Sequence, residues 1–208
     1  MNLEDILRET IIRAEKIRHA CFGASSAAEC IMYIKSNNEL IMFHENRAIF
    51  RTFIPEYFDV HPDITYNHNL IQYDDNKEPI LTDLSRLYLD DINNLDYCKK
   101  KYDEYISDDV IYNRKIIAQE PDLLITNTSF QKVSNIKVGD GLQYFYVTGE
   151  NNTVIRIPYF VGLYNIKKAD KYGIIVYDFD RSHFLVRITD KKPKLNSIDI
   201  FICILKGV

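Results

Sequence analysis

The fold is decided by residues 172–189, YGIIVYDFDRSHFLVRIT, which contain two strand patterns separated by three polar residues. The first pattern, Gly173–Phe179, is apolar on both phases and predicts a strand that is covered on both faces. In the second, apolar positions alternate with polar ones: Phe184, Val186 and Ile188 against His183, Arg187 and Thr189. Because Asp180–Ser182 is too short for a helical crossover, the two strands are predicted to pair antiparallel.

Similar strand patterns extend in both directions from this hairpin. Those in the C-terminal third are Leu142–Val147, Val154–Leu163 and Ile198–Leu205. Those nearer the N-terminus are Glu29–Lys35, Glu39–His44, Arg47–Ile54, Val110–Ala118 and Leu123–Thr126. Ser36, Asn37 and Asn38 separate the first two of these runs and have the composition of a tight turn, so a hairpin is predicted there.

Two segments have the 3.6-residue periodicity of an amphipathic helix. Residues 3–21 place apolar side chains at helical spacing, with Glu15 and Lys16 on the polar side, and Asn2 is a suitable N-cap. Residues 83–106 carry a longer apolar stripe. The predicted fold class is α+β, with these two main helices packed on a mostly antiparallel sheet and a C-terminal third made of strands.

One domain is predicted, because a chain of 208 residues fits a single large domain. The candidate points of subdivision are residues 55–81 and residues 107–109. Residues 55–81 have little periodicity and hold three of the six prolines. They are predicted to form a long, partly ordered loop, and loops of that length are usually functional or disordered.

Composition excludes several classes of protein. The formal net charge is −4, which argues against a general nucleic-acid binder, because such a protein needs a basic face. The four cysteines lack CxxC spacing and are predicted to be small buried hydrophobic residues rather than zinc ligands. The first residues, MNLEDILRET, are too polar for a signal peptide, and no apolar stretch reaches the ~20 residues needed to span a membrane. A soluble, cytoplasmic protein without a membrane partner is therefore predicted.

A first candidate site lies around Glu120–Asp122, which opens the apolar run Leu-Leu-Ile, with Lys137 downstream. This arrangement resembles the core of metal-dependent nucleases of the PD-(D/E)xK type. The resemblance implies that Asp122 and Glu104 would hold Mg²⁺ or Mn²⁺ while Lys137 would orient the attacking water. Asn135 stands where the family has its second carboxylate, so the chain departs from the pattern. The structural alternative is a Pro-Asp turn that leads into a strand.

A second candidate site consists of Asp178, Asp180 and His183, which follow the most apolar strand pattern. The Tyr-Asp-Phe-Asp sequence resembles the first motif of phosphate-transferring hydrolases of the haloacid dehalogenase type, and also the DxD metal clasp of glycosyltransferases. Carboxylates at positions i and i+2 of a strand share one face, where a metal ion can bridge them. The structural alternative is a hairpin turn in which Asp178 pairs with Arg181 or Arg187.

A third candidate site lies within the long loop and comprises His61, Asp63, Tyr66, His68 and Tyr73. Two histidines and an acidic residue can bind zinc, or act as a base and its orienting group. The interleaved tyrosines also fit a recognition loop, because tyrosine gives a large contact area at low entropic cost. The structural alternative is a surface loop that is packed by its own aromatic side chains.

No complete catalytic signature accompanies these candidates, and the chain has 15 tyrosines and an acidic balance. The favoured hypothesis is a non-catalytic protein-binding or regulatory protein with a protein partner and no cofactor, such as an accessory or inhibitor protein of a phage, virus or mobile element. One alternative is a divalent-metal-dependent nuclease or other hydrolase that uses Asp122 and Lys137, or Asp178 and Asp180. A second alternative is a small-molecule sensor domain, since the order of helices, hairpin and sheet resembles GAF and PAS sensors.

Overall fold

The computed structural model describes a defined part of the chain. The described residues are 2–22, 30–44, 48–54, 61–76, 78–81, 84, 92–124, 143–148, 154–159, 171–181, 183–190 and 199–205. Their helices are α1 (Leu3–Phe22), α2 (Ile92–Tyr105), α3 (Asp108–Tyr112) and one turn of 3-10 helix (His68–Leu70). Their strands are β1 (Cys30–Ile34), β2 (Glu39–His44), β3 (Ala48–Phe53), β4 (Ile64–Asn67), β5 (Gln72–Tyr73), β6 (Pro79–Ile80), β7 (Ile116–Leu124), β8 (Gln143–Thr148), β9 (Val154–Tyr159), β10 (Lys171–Asp178), β11 (His183–Asp190) and β12 (Asp199–Leu205).

Eight of these strands form one antiparallel sheet in the order β4-β1-β2-β3-β12-β11-β10-β7. Strand β12 lies in the middle, where it pairs with β3 on one side and β11 on the other. The predicted hairpins β1–β2 and β10–β11 are both confirmed. Two antiparallel ribbons, β5–β6 and β8–β9, accompany the sheet. The α+β fold class and the strand-rich C-terminal third are therefore as predicted.

Helices α1 and α2 lie on opposite faces of the sheet. Strand β1 directs Met32 and Tyr33 to opposite faces, and Tyr66 of β4 pairs with Met32. The Tyr33 ring meets the Tyr102 ring of α2 edge-on, with the ring centroids 6.4 Å apart. The Tyr66 hydroxyl, on the other face, donates a hydrogen bond to Glu15 of α1. The strands between the two helices are consequently covered on both sides.

The core has a cluster on each side of the sheet. The buried side chains on the α2 side are Tyr33, Ile41, Phe43, Cys98, Tyr102, Ile106, Tyr177 and Leu185. The fully buried side chains on the other face of β1–β3 are Met32, Ile34, Leu40, Met42 and Phe50. Burying one large apolar side chain stabilises a fold by about 1.5–3 kcal/mol, so these two layers are the main source of stability.

Two of the four cysteines can be compared with the prediction. Cys30 and Cys98 are buried free thiols, as predicted, and burial raises the pKa of the Cys30 thiol to about 12. The side chains of Cys21 and Cys203 lie outside the described residues. The Cys30 thiol is therefore protonated near neutral pH, and both buried thiols act as small apolar groups in the core.

The two main helices form where periodicity predicts them. Helix α1 begins with a cap in which the Asp5 amide donates to Asn2 Oδ1 at 2.8 Å, and Glu4 and Asp5 face the positive end of the helix dipole. Helix α2 confirms the second half of the helix predicted over 83–106. Residues 82–83 and 85–91, which include the start of that prediction, lie outside the described residues.

The prediction of a loop over residues 55–81 is wrong for the part that the structure describes. Residues 64–67 form β4, which pairs with β1, and the β5–β6 ribbon follows. Strand β4 has only four residues, and its partner strand lies about thirty positions earlier in the chain. Its formation therefore depends on a non-local contact that short-range periodicity does not reveal.

Two predictions beyond α2 are also wrong. The strand predicted from Val110 begins only at Ile116, because Asp108–Tyr112 form α3. The predicted turn at Glu120–Asp122 lies inside β7, where the register with β10 shifts near Gly173. Strand β7 is the last in the sheet order, and a proline is tolerated in an outer strand or at a bulge.

Candidate functional site

Three of the residues predicted for the recognition loop meet at one buried carboxylate. Glu15 of α1 is only 2% exposed. Its Oε1 accepts a hydrogen bond from the Tyr66 hydroxyl at 3.0 Å. Its Oε2 accepts from Arg18 Nε at 2.8 Å and from the Tyr73 hydroxyl, and lies 2.8 Å from His68 Nδ1. We call these five side chains the Glu15 network.

Four contacts converge on the central carboxylate of the Glu15 network. One of them is at Oε1 and three are at Oε2, so both oxygens of the buried carboxylate are engaged. The prediction that Glu15 lies on the polar side of its helix is therefore wrong. Its burial is possible because Arg18, itself 3% exposed, supplies a compensating charge one turn away on the same helix.

Electrostatics fix the protonation of this network. Burial acts to raise the pKa of Glu15, but the contacts with His68, Arg18 and Tyr73 outweigh it and hold the pKa below its ordinary value of 4.5. Burial and the neighbouring carboxylate raise the pKa of the Tyr66 and Tyr73 phenols. Glu15 is consequently ionised at neutral pH, while both phenols keep their protons and donate to its carboxylate.

Local backbone structure brings the three partners of Glu15 to the same side. Tyr66 stands on β4, His68 on the 3-10 helix and Tyr73 on β5. The Asn67 side chain accepts a hydrogen bond from the Asn69 amide at 2.9 Å and so caps the 3-10 helix. The Ile71 amide then donates to the carbonyl of His68 at 3.0 Å. This compact turn places side chains from three successive elements against α1.

The other two predicted residues serve a different purpose at the start of the segment. His61 is 1% exposed, and its Nε2 lies 3.0 Å from Asn38 Oδ1 in the β1–β2 turn. Asp63 accepts hydrogen bonds from the Tyr33 hydroxyl at 3.0 Å and from the Ser36 amide at 2.9 Å. His61 and Asp63 therefore attach the segment to the hairpin and do not join the Glu15 network.

An open pocket of about 200 Å³ lies next to the Glu15 network. Its lining residues are Glu15, Lys16, His19, Tyr73, Glu78 and Pro79. The first three belong to α1. Tyr73 and Pro79 belong to β5 and β6, and Glu78 immediately precedes β6. Lys16 Nζ and Glu78 Oε2 are 3.5 Å apart, and both side chains are more than half exposed. The lining thus combines the buried Glu15 carboxylate with the exposed Lys16–Glu78 pair.

A second buried carboxylate, Glu39, occupies the opposite face of the sheet. It accepts hydrogen bonds from Arg51 and from the Tyr102 hydroxyl, and Lys35 Nζ lies 3.0 Å from Oε2. Arg51 also donates to Asp108 at 2.8 Å, which joins β3 to the start of α3. Burial acts to raise the pKa of Glu39, but Tyr102, Arg51 and Lys35 hold it below its ordinary value. This arrangement joins strands to helices and has the character of a structural network.

The predicted nuclease residues are only partly described. Glu104 is exposed on α2, where its carboxylate lies 3.2 Å from Lys101 Nζ. Asp122 lies in β7, but its side chain lies outside the described residues, as do Asn135 and Lys137. The proposed metal set of Glu104, Asp122 and Lys137 therefore stays a prediction.

Two of the predicted metal ligands, Asp180 and His183, contact each other across the β10–β11 turn. The Asp180 carboxylate accepts the His183 amide at 2.8 Å and lies 2.9 Å from His183 Nδ1. Tyr105 and Phe179 stack with their centroids 5.5 Å apart, and His183 packs against both rings. Asp178 is exposed, and its amide donates to Lys115 at 2.8 Å. Within the described ranges, no group of three or more His, Cys, Asp or Glu side chains is arranged to hold a metal ion.

The sequence predicted Tyr66, His68 and Tyr73 as site residues but did not predict that Glu15 and Arg18 join them. Glu15 and Arg18 are three residues apart in a helix whose buried face includes Ile11, Ala14 and Ile17. An acid and a base at that spacing beside apolar positions are compatible with a buried pair. The pattern is equally common on solvated helix faces, so it has little power to predict burial.

Comparison of the chain with protein-family models, curated proteins and solved structures found no match. In the part of the chain that the structure describes, no helix is long and apolar enough to cross a membrane.

Proposed function

We propose that the protein is a non-catalytic protein-binding or regulatory protein whose recognition surface is formed by residues 61–81 where they lie on α1. The observation that carries this proposal is the convergence of four contacts on the buried Glu15 carboxylate. The polar groups that suggested chemistry in this segment are engaged in holding it against the helix and the hairpin. The outer side of the segment is left for contact with a partner.

The protonation of Glu15, Tyr66 and Tyr73 argues against these three groups as a catalytic acid or base. A general acid or base works best with a pKa near the operating pH. The pKa of Glu15 is lowered and those of Tyr66 and Tyr73 are raised, so all three move away from neutrality.

The exposed side of the segment has the composition of a recognition surface. The described residues include eight exposed large hydrophobic side chains, and three of them, Leu70, Tyr73 and Ile80, lie within eleven positions of each other. Aromatic and apolar side chains on a rigid support lose little conformational entropy when a partner binds. The contacts of His61, Asp63 and the Glu15 network supply that support.

The proposal is tested by two substitutions on the exposed side. Leu70→Asp and Ile80→Asp each place a charge where we expect apolar contact with a partner. Because both positions are exposed, each substitution should change the free energy of unfolding by less than about 0.5 kcal/mol. A protein partner captured from the native host by the wild-type chain should be lost by both variants. The control is Tyr112→Asp, because Tyr112 is 89% exposed on α3 and lies outside the proposed surface.

The same capture experiment can contradict the proposal. If Tyr112→Asp loses the partner as completely as Leu70→Asp and Ile80→Asp do, the surface is elsewhere. If the wild-type chain captures no stoichiometric partner, the protein-binding role itself is contradicted.

A further inference from the structure

We propose that the pocket between α1 and the β5–β6 ribbon is an anchor pocket that receives one large, uncharged side chain of the protein partner, such as that of phenylalanine. This inference rests on the proposed function and deepens it by naming the chemistry that the partner presents. The supporting observations are the size of the pocket, its apolar wall, the pairing of its charged residues and its attachment to the Glu15 network.

The size of the pocket matches a single side chain. A volume of about 200 Å³ holds roughly seven water molecules at ~30 Å³ each, and a phenylalanine side chain has about seven carbon atoms. Sites that hold drug-sized ligands are larger, at ~300–1,000 Å³. Because the pocket is open to solvent, a side chain that projects from the surface of a partner can enter it.

Tyr73 and Pro79 form the apolar wall of the pocket. They pair directly across the β5–β6 ribbon, and directly paired residues have their side chains on the same face. Both line the pocket, so this face of the ribbon is directed toward α1. A ring that enters can pack on the Tyr73 ring, which adds to the gain from burying apolar surface. Tyr73 is also one of the three exposed hydrophobic side chains of the proposed recognition surface, so the pocket adjoins that surface.

The lysine and both glutamates of the lining already have partners. Lys16 Nζ lies 3.5 Å from Glu78 Oε2, and both side chains are more than half exposed. On the buried side, Glu15 Oε2 lies 2.8 Å from Arg18 Nε. A charged side chain that entered would have to break one of these pairs or lose its hydration without gaining a partner, and either change lowers affinity. An uncharged side chain leaves both pairs intact, with the Lys16–Glu78 pair at the polar rim.

The pocket is preformed, which lowers the entropic cost of binding. The Tyr73 hydroxyl donates to Glu15, and the centroid of the Tyr73 ring lies 6.1 Å from that of the His68 ring. At the ribbon turn, the Asp74 amide donates to the Glu78 carbonyl at 3.0 Å, and the Glu78 amide donates to Asp74 Oδ1 at 2.8 Å. These contacts fix the ribbon wall of the pocket. A wall that is already fixed loses little conformational entropy when the pocket is filled.

The first test uses the isolated protein and an uncharged probe, N-acetyl-L-phenylalanine amide, with backbone amide chemical shifts measured by NMR. The probe should cause saturable shifts at the lining residues with a Kd on the order of 1 mM. N-acetyl-L-lysine amide and N-acetyl-L-glutamic acid α-amide have the same blocked backbone and a charged side chain, and they should cause no saturable shift there. The inference is overturned if the phenylalanine derivative causes no saturable shift at the lining residues, or if a charged derivative binds as tightly.

The second test fills the pocket with a side chain of the protein itself. His19 is exposed and lines the pocket from α1, so His19→Trp places an indole ring at the pocket without removing a buried contact. This variant should keep the wild-type Tm, lose the probe-induced shifts and bind the captured partner at least about tenfold more weakly. The matched control is Glu9→Trp, at an exposed position of the same helix outside the pocket lining, and it should bind both the probe and the partner as the wild type does.

The outcomes separate this inference from the proposed function. If Leu70→Asp loses the partner while His19→Trp binds it as tightly as the wild type, the anchor pocket is contradicted and the recognition surface stands. If the wild-type chain captures no partner, the proposed function is contradicted, and the phenylalanine probe alone then decides whether the pocket takes an uncharged side chain.

Discussion

Replacement of Glu15 by Gln removes one negative charge from the Glu15 network and changes the side-chain volume very little. Arg18 would then be left as a buried cation at 3% exposure, 2.8 Å from an amide instead of a carboxylate. Removing one partner of a buried ion pair costs about 3–5 kcal/mol, because the other charge stays buried without compensation. We therefore expect Glu15→Gln to lower the free energy of unfolding by about 3–5 kcal/mol.

The assay is urea unfolding followed by circular dichroism, supported by thermal unfolding. For a chain of this size, the expected loss corresponds to a decrease in Tm of about 6–20 °C. The matched control is Glu4→Gln in the same helix, because Glu4 pairs with Arg8 at 3.0 Å but its side chain is 66% exposed. That control should cost less than about 1 kcal/mol. A loss below about 1 kcal/mol for Glu15→Gln would refute the view that its buried charge organises the segment.

Three further predictions concern the same structure. Tyr66→Phe should lower the free energy of unfolding by about 1–3 kcal/mol in urea, because a buried carboxylate oxygen loses its hydrogen bond, and an unchanged value would contradict that contact. Glu15 and Glu39 have lowered pKa values in the folded state, so their ionised forms stabilise the fold above pH 4.5, and this stabilisation is lost as the pH falls through the folded-state pKa values. Tm should therefore decrease below pH 4.5, and less steeply in Glu15→Gln than in the wild type. An equal pH dependence of Tm in both proteins would contradict this linkage. Under the protein-binding proposal, Mg²⁺ and Mn²⁺ should leave Tm unchanged, whereas an increase that Asp122→Ala abolishes would support the metal-dependent alternative.

The parts of the fold that could be predicted are those with strong local signals. Helix α1 combines a capping Asn2, an acidic first turn and a regular apolar stripe. The β10–β11 hairpin combines two alternating runs with a connection too short for anything but antiparallel pairing. In both cases the residues that determine the element lie within the element itself.

The parts that could not be predicted depend on distant residues. Glu15 is buried because Tyr66, His68 and Tyr73, which lie 51–58 positions later, provide its donors. Strand β4 is only four residues long and forms against β1. The helical periodicity of residues 3–21 predicts Glu15 on the polar side of α1 and contains no information about those partners.

Helix α3 is a different case, because its sequence contains a local signal for the start of a helix, but the β-propensity of the next residues favoured a strand in the prediction. Val110, Ile111 and Tyr112 have high β-propensity and favoured a strand. Ser107 followed by Asp108 and Asp109 is typical of the start of a helix, and the structure follows that signal. The contact of Asp108 with Arg51 adds a tertiary reason for the helical turn.

Under the protein-binding proposal, Glu15 is an ionised, buried anchor for residues 61–81 and not a catalytic acid. A carbon NMR titration of the Glu15 side-chain carboxyl group tests this, with its resonance assigned by its disappearance in Glu15→Gln. We expect a pKa below the ordinary value of 4.5. A pKa raised toward neutrality, as in carboxylic acids that donate protons during catalysis, would contradict it.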